Sequence, residues 1–392
     1  MSRGEKGDGV LVLATEFRAG PWVCRSLAAA GFRVVGAHPL GAGGRSMACP
    51  RPLRYPSPVG DPDGFVEAVR TICRDRSIAA VFPVSEDALR IIAEREPDLA
   101  GAEVAGPSRD QYARLCDKGL LGASAARAGV AHPETVVVPQ GGQVPAWPPL
   151  PSVVKPRVAG ESLEARPVAI VTSAAQRTTA VAELHEQGLE PIVQELVVGR
   201  RWSVHGARGR GFFRACAIEI QESYPRGAGT SSVSRSVPPP PHLLECARSL
   251  LELVDYRGPC SFNFIERDGT FLVHDVNLRV SDSVGLSIRS GLDVPRLGLE
   301  AALGIADPAE QSRGRSFFYV SSRGELAALL DGLRGRGAGE DSLRIAGRLA
   351  HGVASPRGIA DPFPLDPFWV GSRLARRGSR LAHQAGRLVS TR

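Results

Sequence analysis

Residues 261–279, SFNFIERDGTFLVHDVNLR, constrain the fold of this chain more than any other stretch. Two largely apolar runs meet at Asp268-Gly269, the pattern of a β-hairpin. Alternate residues of a strand share a face. That sets Phe271, Val273, Asp275, Asn277 and Arg279 on one side, with Leu272, His274, Val276 and Leu278 on the other. A carboxylate, an amide and a guanidinium in successive same-face positions are costly to bury without ligands. Asp275 and Asn277 are hard oxygen donors suited to Mg²⁺, which shares its shell with substrate phosphates. Arg279 would reach the same phosphates. A surface strand with a salt bridge is the bland alternative, and the apolar flanks argue against it. On the facing strand, Ser261, Asn263 and Ile265 share a face. A three-residue turn with Gly269 left-handed sets Asn263 opposite Asp275. A two-residue Asp268-Gly269 turn would set Phe262 there and remove Asn263 from the site.

The N-terminal third has a different texture. A buried strand at 10–14, a helix over Pro21–Ala30 stopped by Gly31 and the strand FRVVGAH come first. An amphipathic Phe65–Arg74, the strand AAVFPV and a helix around Ala88–Ala93 follow. Such alternation builds a doubly wound parallel sheet over about 1–108. The turn after the first strand, ATEFRAGP, lacks the glycine fingerprint of a dinucleotide site, which argues against an NAD-dependent oxidoreductase. Beyond residue 109, a helical stretch carrying Lys118 leads to the strand SVVKP, then VAIV, a helix over about 174–187 and IVQELVVGRRWSVHG, bent near Val198-Gly199. The strand FFRACAIEI, a loop QESYPRGAGTSS and a helix Leu243–Val254 lead into the hairpin.

Charge usage singles out two residues. Of 48 cationic residues, only Lys6, Lys118 and Lys155 are lysines. Where Arg is the default, a retained ammonium marks a place that wants a compact point charge. Lys118 just ahead of a helix-like segment and Lys155 at a strand end suit a polyphosphate, although arginine-rich coding alone could leave lysines at random. The net charge of +7 decides little among anionic partners. Seven scattered cysteines without C-x-x-C read as reduced thiols of a cytoplasmic protein. No closely spaced histidines suggest a transition metal. The first apolar run is too short for a secretory signal, and nothing approaches a membrane span.

These pieces resemble the ATP-grasp superfamily of ligases, particularly the branch similar to carbamoyl-phosphate synthetase ATP-binding halves and single-chain carboxylate–amine ligases. CDKGLL around Lys118, VVKP ending at Lys155, QELVVG with Glu195, CAIEIQES with Glu219, the loop GAGTSS and the hairpin with its following helix occur in order over about 10–305. The resemblance implies a Rossmann-like parallel-sheet domain (1–108) before an ATP-grasp domain (109–305, lobes about 109–193 and 194–305), then a C-terminal extension (306–392). It implies ATP and Mg²⁺ as cofactors. Lys118 and Lys155 would contact phosphates, Glu195 and the backbone of Leu196 and Val197 the adenine, and Glu219 would lie near ribose and metal. Asn263, Asp275 and Asn277 would hold Mg²⁺, with Arg279 on the transferred phosphoryl group and Lys155 assisting. The implied activity joins a small-molecule carboxylate to an amine through an acyl phosphate.

Three departures from the family's pattern stand out. Arg201 replaces the usual ribose-binding acid, Asp275 stands where Glu is commoner, and the loop PRVAGESLEARP after Lys155 is poor in glycine. They leave a catalytically impaired nucleotide-binding protein as an alternative. Tyr224, Arg226 and 227–232 suit a substrate loop or a plain surface turn. Ser281, Ser283 and Arg289 could read the acceptor. In the extension, a strand and helix precede a basic amphipathic tail, 368–392. That tail could lie on an anionic membrane surface, cover its own protein or bind a partner, so a membrane-surface scaffold is a further alternative. The basic residues lack interleaved aromatics, which argues against nucleic acid.

Overall fold

The computed structural model describes residues 8–39, 46–142, 144, 146–158, 160, 168–224, 229–307, 314–333 and 342–361. The tail 368–392, Arg226 and most of the loop after Lys155 lie outside the described residues.

The N-terminal alternation folds as its pattern predicts. β1 (Gly9–Leu13), α1 (Ala19–Ala29), β2 (Arg33–Pro39), β3 (Leu53–Tyr55), α2 (Pro62–Asp75), β4 (Ile78–Pro83), α3 (Glu86–Arg95) and β5 (Glu103–Val104) form a parallel sheet of order β3-β2-β1-β4-β5. Strand alternation divides β1 between two cores. Val10 and Val12 pack with α1 residues Val23 and Leu27, while Leu11 and Leu13 pack with Phe65 and Val69 of α2 and Ile91 of α3. Each such side chain contributes about 1.5–3 kcal/mol by leaving water. Chain polarity is controlled by caps. Asp61 accepts the Gly64 amide at 2.9 Å and Ser85 the Ala88 amide at 3.2 Å. Gly31, at φ 94°, turns the chain out of α1.

α4 (Arg109–Leu115) and α5 (Leu121–Arg127) follow, and the turn between them carries Lys118. The helical stretch expected over 115–130 is helix only in α5, with Lys118 in the turn just ahead of it. β6 (Thr135–Val137), β7 (Ser152–Pro156), β8 (Ala169–Val171), α6 (Ala174–His185) and β9 (Pro191–Glu195) form the smaller lobe. Its sheet has the order β6-β9-β7-β8, with Val181 and Leu184 of α6 packed on Val154 and Val193.

The larger lobe begins with β10 (Arg200–Gly209), β11 (Phe212–Tyr224), β12 (Thr230–Val237), α7 (Pro241–Leu253), β13 (Gly258–Arg267) and β14 (Thr270–Asn277). The expected loop 221–232 is therefore largely strand, running through Tyr224 and resuming at Thr230. α8 (Val284–Arg289), α9 (Val294–Leu303), β15 (Phe318–Ser321), α10 (Ser322–Leu333), α11 (Ser342–Ala354) and β16 (Gly358–Asp361) complete the described chain. The sheet order is β14-β13-β10-β11-β12-β15-β16, so the C-terminal strands widen the sheet that carries the hairpin.

The hairpin resolves the register in a way the alternation did not foresee. Arg267 pairs with Thr270 across Asp268 (φ 52°) and Gly269 (φ 78°), a two-residue turn with both central residues left-handed. Pairing runs in that register to Phe264↔Val273 and then slips one residue, so that Asn263 faces Asp275 and His274 is bulged out. A bulge inserts one residue and reverses the facing of everything beyond it. Phe271, Val273, Val276 and Leu278 consequently share one core with Phe262 and Phe264. The simple alternation, which grouped Phe271 and Val273 with Asp275, is corrected by this bulge. Without it, Asp275 would point into that core.

Candidate functional site

The bulged strand end meets the smaller lobe at a cluster of charged and amide side chains. Asp275 lies at its centre. Its Oδ1 is 3.0 Å from Lys118 Nζ. Its Oδ2 accepts from Asn263 Nδ2 at 3.0 Å and Asn277 Nδ2 at 2.9 Å. Lys155, on β7, donates to Gln194 Oε1 at 3.0 Å and crosses to the carbonyl of His274 at 3.3 Å. The bulge thus does two things: it turns Asp275 toward Asn263 and presents a backbone oxygen to the opposite lobe.

Lys118 is placed by its own turn. Asp117 Oδ1 accepts from the Gly119 amide at 2.8 Å, and both Asp117 carboxylate oxygens accept from Arg157 Nε at 2.8 and 3.0 Å. A Cβ on Gly119 would sit 2.6 Å from Val137 Cγ2, so the turn needs glycine to approach β6. Beside it, a cleft of about 370 Å³ opens along Lys118, Gly122, Ala126, His132 and Thr135.

The electrostatics follow from burial and proximity. Burial works against the charged form of Asp275, but Lys118 and then Lys155 hold its carboxyl well below the usual range. Burial, with Lys118 adding to it and Asp275 opposing, brings Lys155 down to about 8. For Lys118, burial is outweighed by Asp275, which raises it. His274 falls to about 3 through burial and the Lys155 charge. Two largely buried ammonium groups therefore share one carboxylate, an arrangement that favours an incoming anion.

The other expected residues are placed differently. Arg279 directs Nε at Glu86 Oε2, 2.7 Å away on α3, and Nη1 at the Val280 carbonyl, 3.0 Å. Glu195 Oε1 is 2.6 Å from Arg267 Nη1 of the hairpin. The Leu196 amide donates to Pro151 O at 3.3 Å, and Val197 is buried, which leaves Val198, 80% exposed, as the open residue of the bend. Glu219 is not brought into the cluster. The site face follows the row Asp275–Asn263–Ser203–Ile218, whereas Glu219 pairs with Trp202, whose ring lies in the core on the other face. Its carboxylate is 2.7 Å from Arg235. This corrects the expectation that Glu219 lies beside the metal donors. Arg201 is on the site face, donates to Gly229 O at 3.2 Å and is depressed by burial.

Two residues escaped sequence reasoning. Gln194, buried on β9, orients Lys155 and is itself held through Nε2 to Thr135 Oγ1 at 2.8 Å. It directly precedes Glu195 in QELVVG, which was the available signal. Glu86 resembles a helix-capping acid in VSEDA and gave none.

Among the described residues, no group of three or more His, Cys, Asp or Glu side chains could hold a metal ion. One carboxylate and two amide oxygens remain as the donor set. That set fits a single Mg²⁺ sharing its shell with phosphate oxygens and does not fit a metal held by protein alone.

The parallel sheet, the two lobes and the cluster between them define the ATP-grasp fold. No protein-family model matches the sequence, and no curated protein does. Solved structures do. The chain superposes on the L-amino acid ligase from Bacillus licheniformis with TM-score 0.64 and 14% identity, covering 79% of this chain and 78% of that one. It matches the ADP complex of purK, N5-carboxyaminoimidazole ribonucleotide synthetase, with TM-score 0.65 and 14% identity, covering 85% and 87%. The biotin carboxylase from Campylobacter jejuni gives TM-score 0.63 and 14% identity over 78% and 73%.

Proposed function

We propose that this chain is an ATP-dependent ligase that activates a carboxylate as an acyl phosphate for attack by an amine, forming an amide of amino-acid or peptide type. The observation that carries this reading is the meeting of Lys118, Lys155, Asn263, Asp275 and Asn277 where the smaller lobe's β7 reaches the bulge of β14. The structural neighbours, which include an amino-acid ligase and complexes with ADP or ATP, support it.

Phosphoryl transfer asks a protein for positioning and charge neutralisation more than for a nucleophile. Lys118 and Lys155 would bind the triphosphate, exchanging Asp275 and the His274 carbonyl for phosphate oxygens. Asp275, Asn263 and Asn277 would hold Mg²⁺, which when bound neutralises charge between phosphates. Arg279, near the end of β14, would face the transferred group. Glu195 and the backbone of Leu196 and Val197 would meet the base. The acceptor amine would approach from the Ser281–Ser283 side. Residues 1–108, 109–305 and 306–392 would be the structural units.

A second reading has its own observation. The metal donor set holds one carboxylate, whose two oxygens are both engaged, and Arg201 lies on the same face. These favour a nucleotide-binding protein of impaired turnover. Incubating the protein with Mg·ATP and a matrix of acids and amines separates the two. Release of ADP and phosphate that needs both an acid and an amine supports the ligase. Nucleotide binding without release under every pair supports the second reading.

A further inference from the structure

From the first sheet domain, Glu86 reaches Arg279 and the helix that leads to Lys118 without belonging to the cluster around Asp275. Glu86 is the first residue of α3, and it is only 4% exposed. Acids at that position ordinarily face water and the helix N-terminus; this one is turned inward across the domain boundary. Its Oε1 accepts from the Tyr112 hydroxyl at 2.8 Å, and its Oε2 pairs with Arg279 Nε at 2.7 Å. Tyr112 lies on α4, the helix leading into the Lys118 turn, and burial followed by the Glu86 charge holds its hydroxyl far above the ordinary range. Glu86 also acts on Lys118 electrostatically, after Asp275.

A buried carboxylate held by a tyrosine is a rigid anchor. An arginine bound to it edge-on through Nε keeps its plane and its terminal nitrogens in one direction. Arg279 is two residues beyond Asn277, and its Nη1 is further tied to the Val280 carbonyl. Rotation about its long side chain is thereby removed before any substrate arrives, the condition for electrostatic stabilisation without reorganisation. The pair also joins residues 193 positions apart in sequence. Here Glu86 fixes the guanidinium that the ligase reading assigns to the transferred phosphoryl group.

We propose that Glu86 is a positioning residue for the phosphoryl-transfer site, acting through Arg279 to aim its guanidinium at the terminal phosphate. This rests on the ligase reading. The test uses binding, so it does not depend on knowing the acid or the amine. Affinities for Mg·ATP and Mg·ADP are measured by calorimetry on wild type, Glu86→Gln, Arg279→Met and the double variant, each checked for folding by thermal unfolding. If Arg279 reads the terminal phosphate, the wild-type preference for Mg·ATP over Mg·ADP shrinks about tenfold in Arg279→Met. It shrinks about three- to tenfold in Glu86→Gln, and the double variant is no worse than Arg279→Met alone. Losses that multiply, or an unchanged ratio in Glu86→Gln, overturn the positioning role while leaving nucleotide binding in place. Should Glu86→Gln fail to fold, Glu86→Asp, which retains the charge but retracts it by one methylene, carries the same comparison. A wild type that binds neither nucleotide overturns the ligase reading itself, and this inference with it.

Discussion

Replacing Asp275 by Asn removes the one negative charge shared by Lys118, Lys155, Asn263 and Asn277. The aspartate accepts three contacts of 2.9–3.0 Å from nitrogen donors, so an amide in its place must aim its own NH₂ at another donor. Breaking a buried ion pair from one side costs about 3–5 kcal/mol. The Asp275 side chain is 21% exposed, and Lys155, already at about 8, can shed its proton once the carboxylate is gone. Both effects reduce the cost to roughly 3 kcal/mol at neutral pH. For a chain of this size that corresponds to a fall of roughly 5 °C in the unfolding midpoint. Thermal unfolding measured with no ligand, with Mg²⁺, with ATP and with both gives the assay. The wild type should gain from Mg·ATP more than from ATP alone and nothing from Mg²⁺ alone. Asp275→Asn should begin about 5 °C lower and still gain from ATP, because the triphosphate resupplies the missing charge, but lose the added effect of Mg²⁺. An unliganded midpoint within about 1 °C of wild type, together with an intact Mg²⁺ effect, would refute the placement of Asp275 at the centre of the site.

Other consequences are open to direct measurement. Because Lys155 is depressed to about 8 in the folded chain, the unfolded chain binds more protons between pH 8 and its ordinary value near 10.5. Its contribution to unliganded stability should therefore rise across that window, while affinity for ATP falls as pH passes about 8; Lys155→Met should abolish both trends. Glu219→Ala, on the far sheet face beside Arg235, should leave Mg·ATP affinity within about twofold; a loss of about tenfold in calorimetry would put Glu219 back in the site. Gly199→Ala should destabilise by at least about 2 kcal/mol in chemical unfolding, since its Cβ would fall 2.1 Å from the Glu266 carbonyl and push the bend between the lobes apart.

The parts of the fold legible in the sequence were those with one dominant physical signal. VLVLA and AAVFPV are too apolar and too short to be anything but central strands, and Gly31 ends α1 as expected. Asp268-Gly269 announced the hairpin, but the bulge at His274 left no local mark, since Val273 and Val276 are equally apolar and parity cannot show where it slips. The same loss of parity hid the facing of Glu219. Ala217 and Ile218 are both buried, one in each core, so neither neighbour reveals which side the glutamate takes. Lys118 and Lys155 were legible because this chain writes Arg at all but three of its cationic positions, and the structure brings both to Asp275 or its neighbour's carbonyl. Glu86 was invisible for the opposite reason: Ser-Glu-Asp at a helix start is explained completely by capping. Only the tertiary fold, with Arg279 arriving from 193 residues away, gives it another role.

Titration of Mg·ATP into the wild type and into a Lys118→Met, Lys155→Met double variant tests the central claim most directly. The account predicts saturable binding by the wild type and at least a hundredfold weaker binding by the variant, about 2.7 kcal/mol. Equal affinity in the two proteins would contradict it, because the triphosphate would then be held somewhere other than between these two ammonium groups.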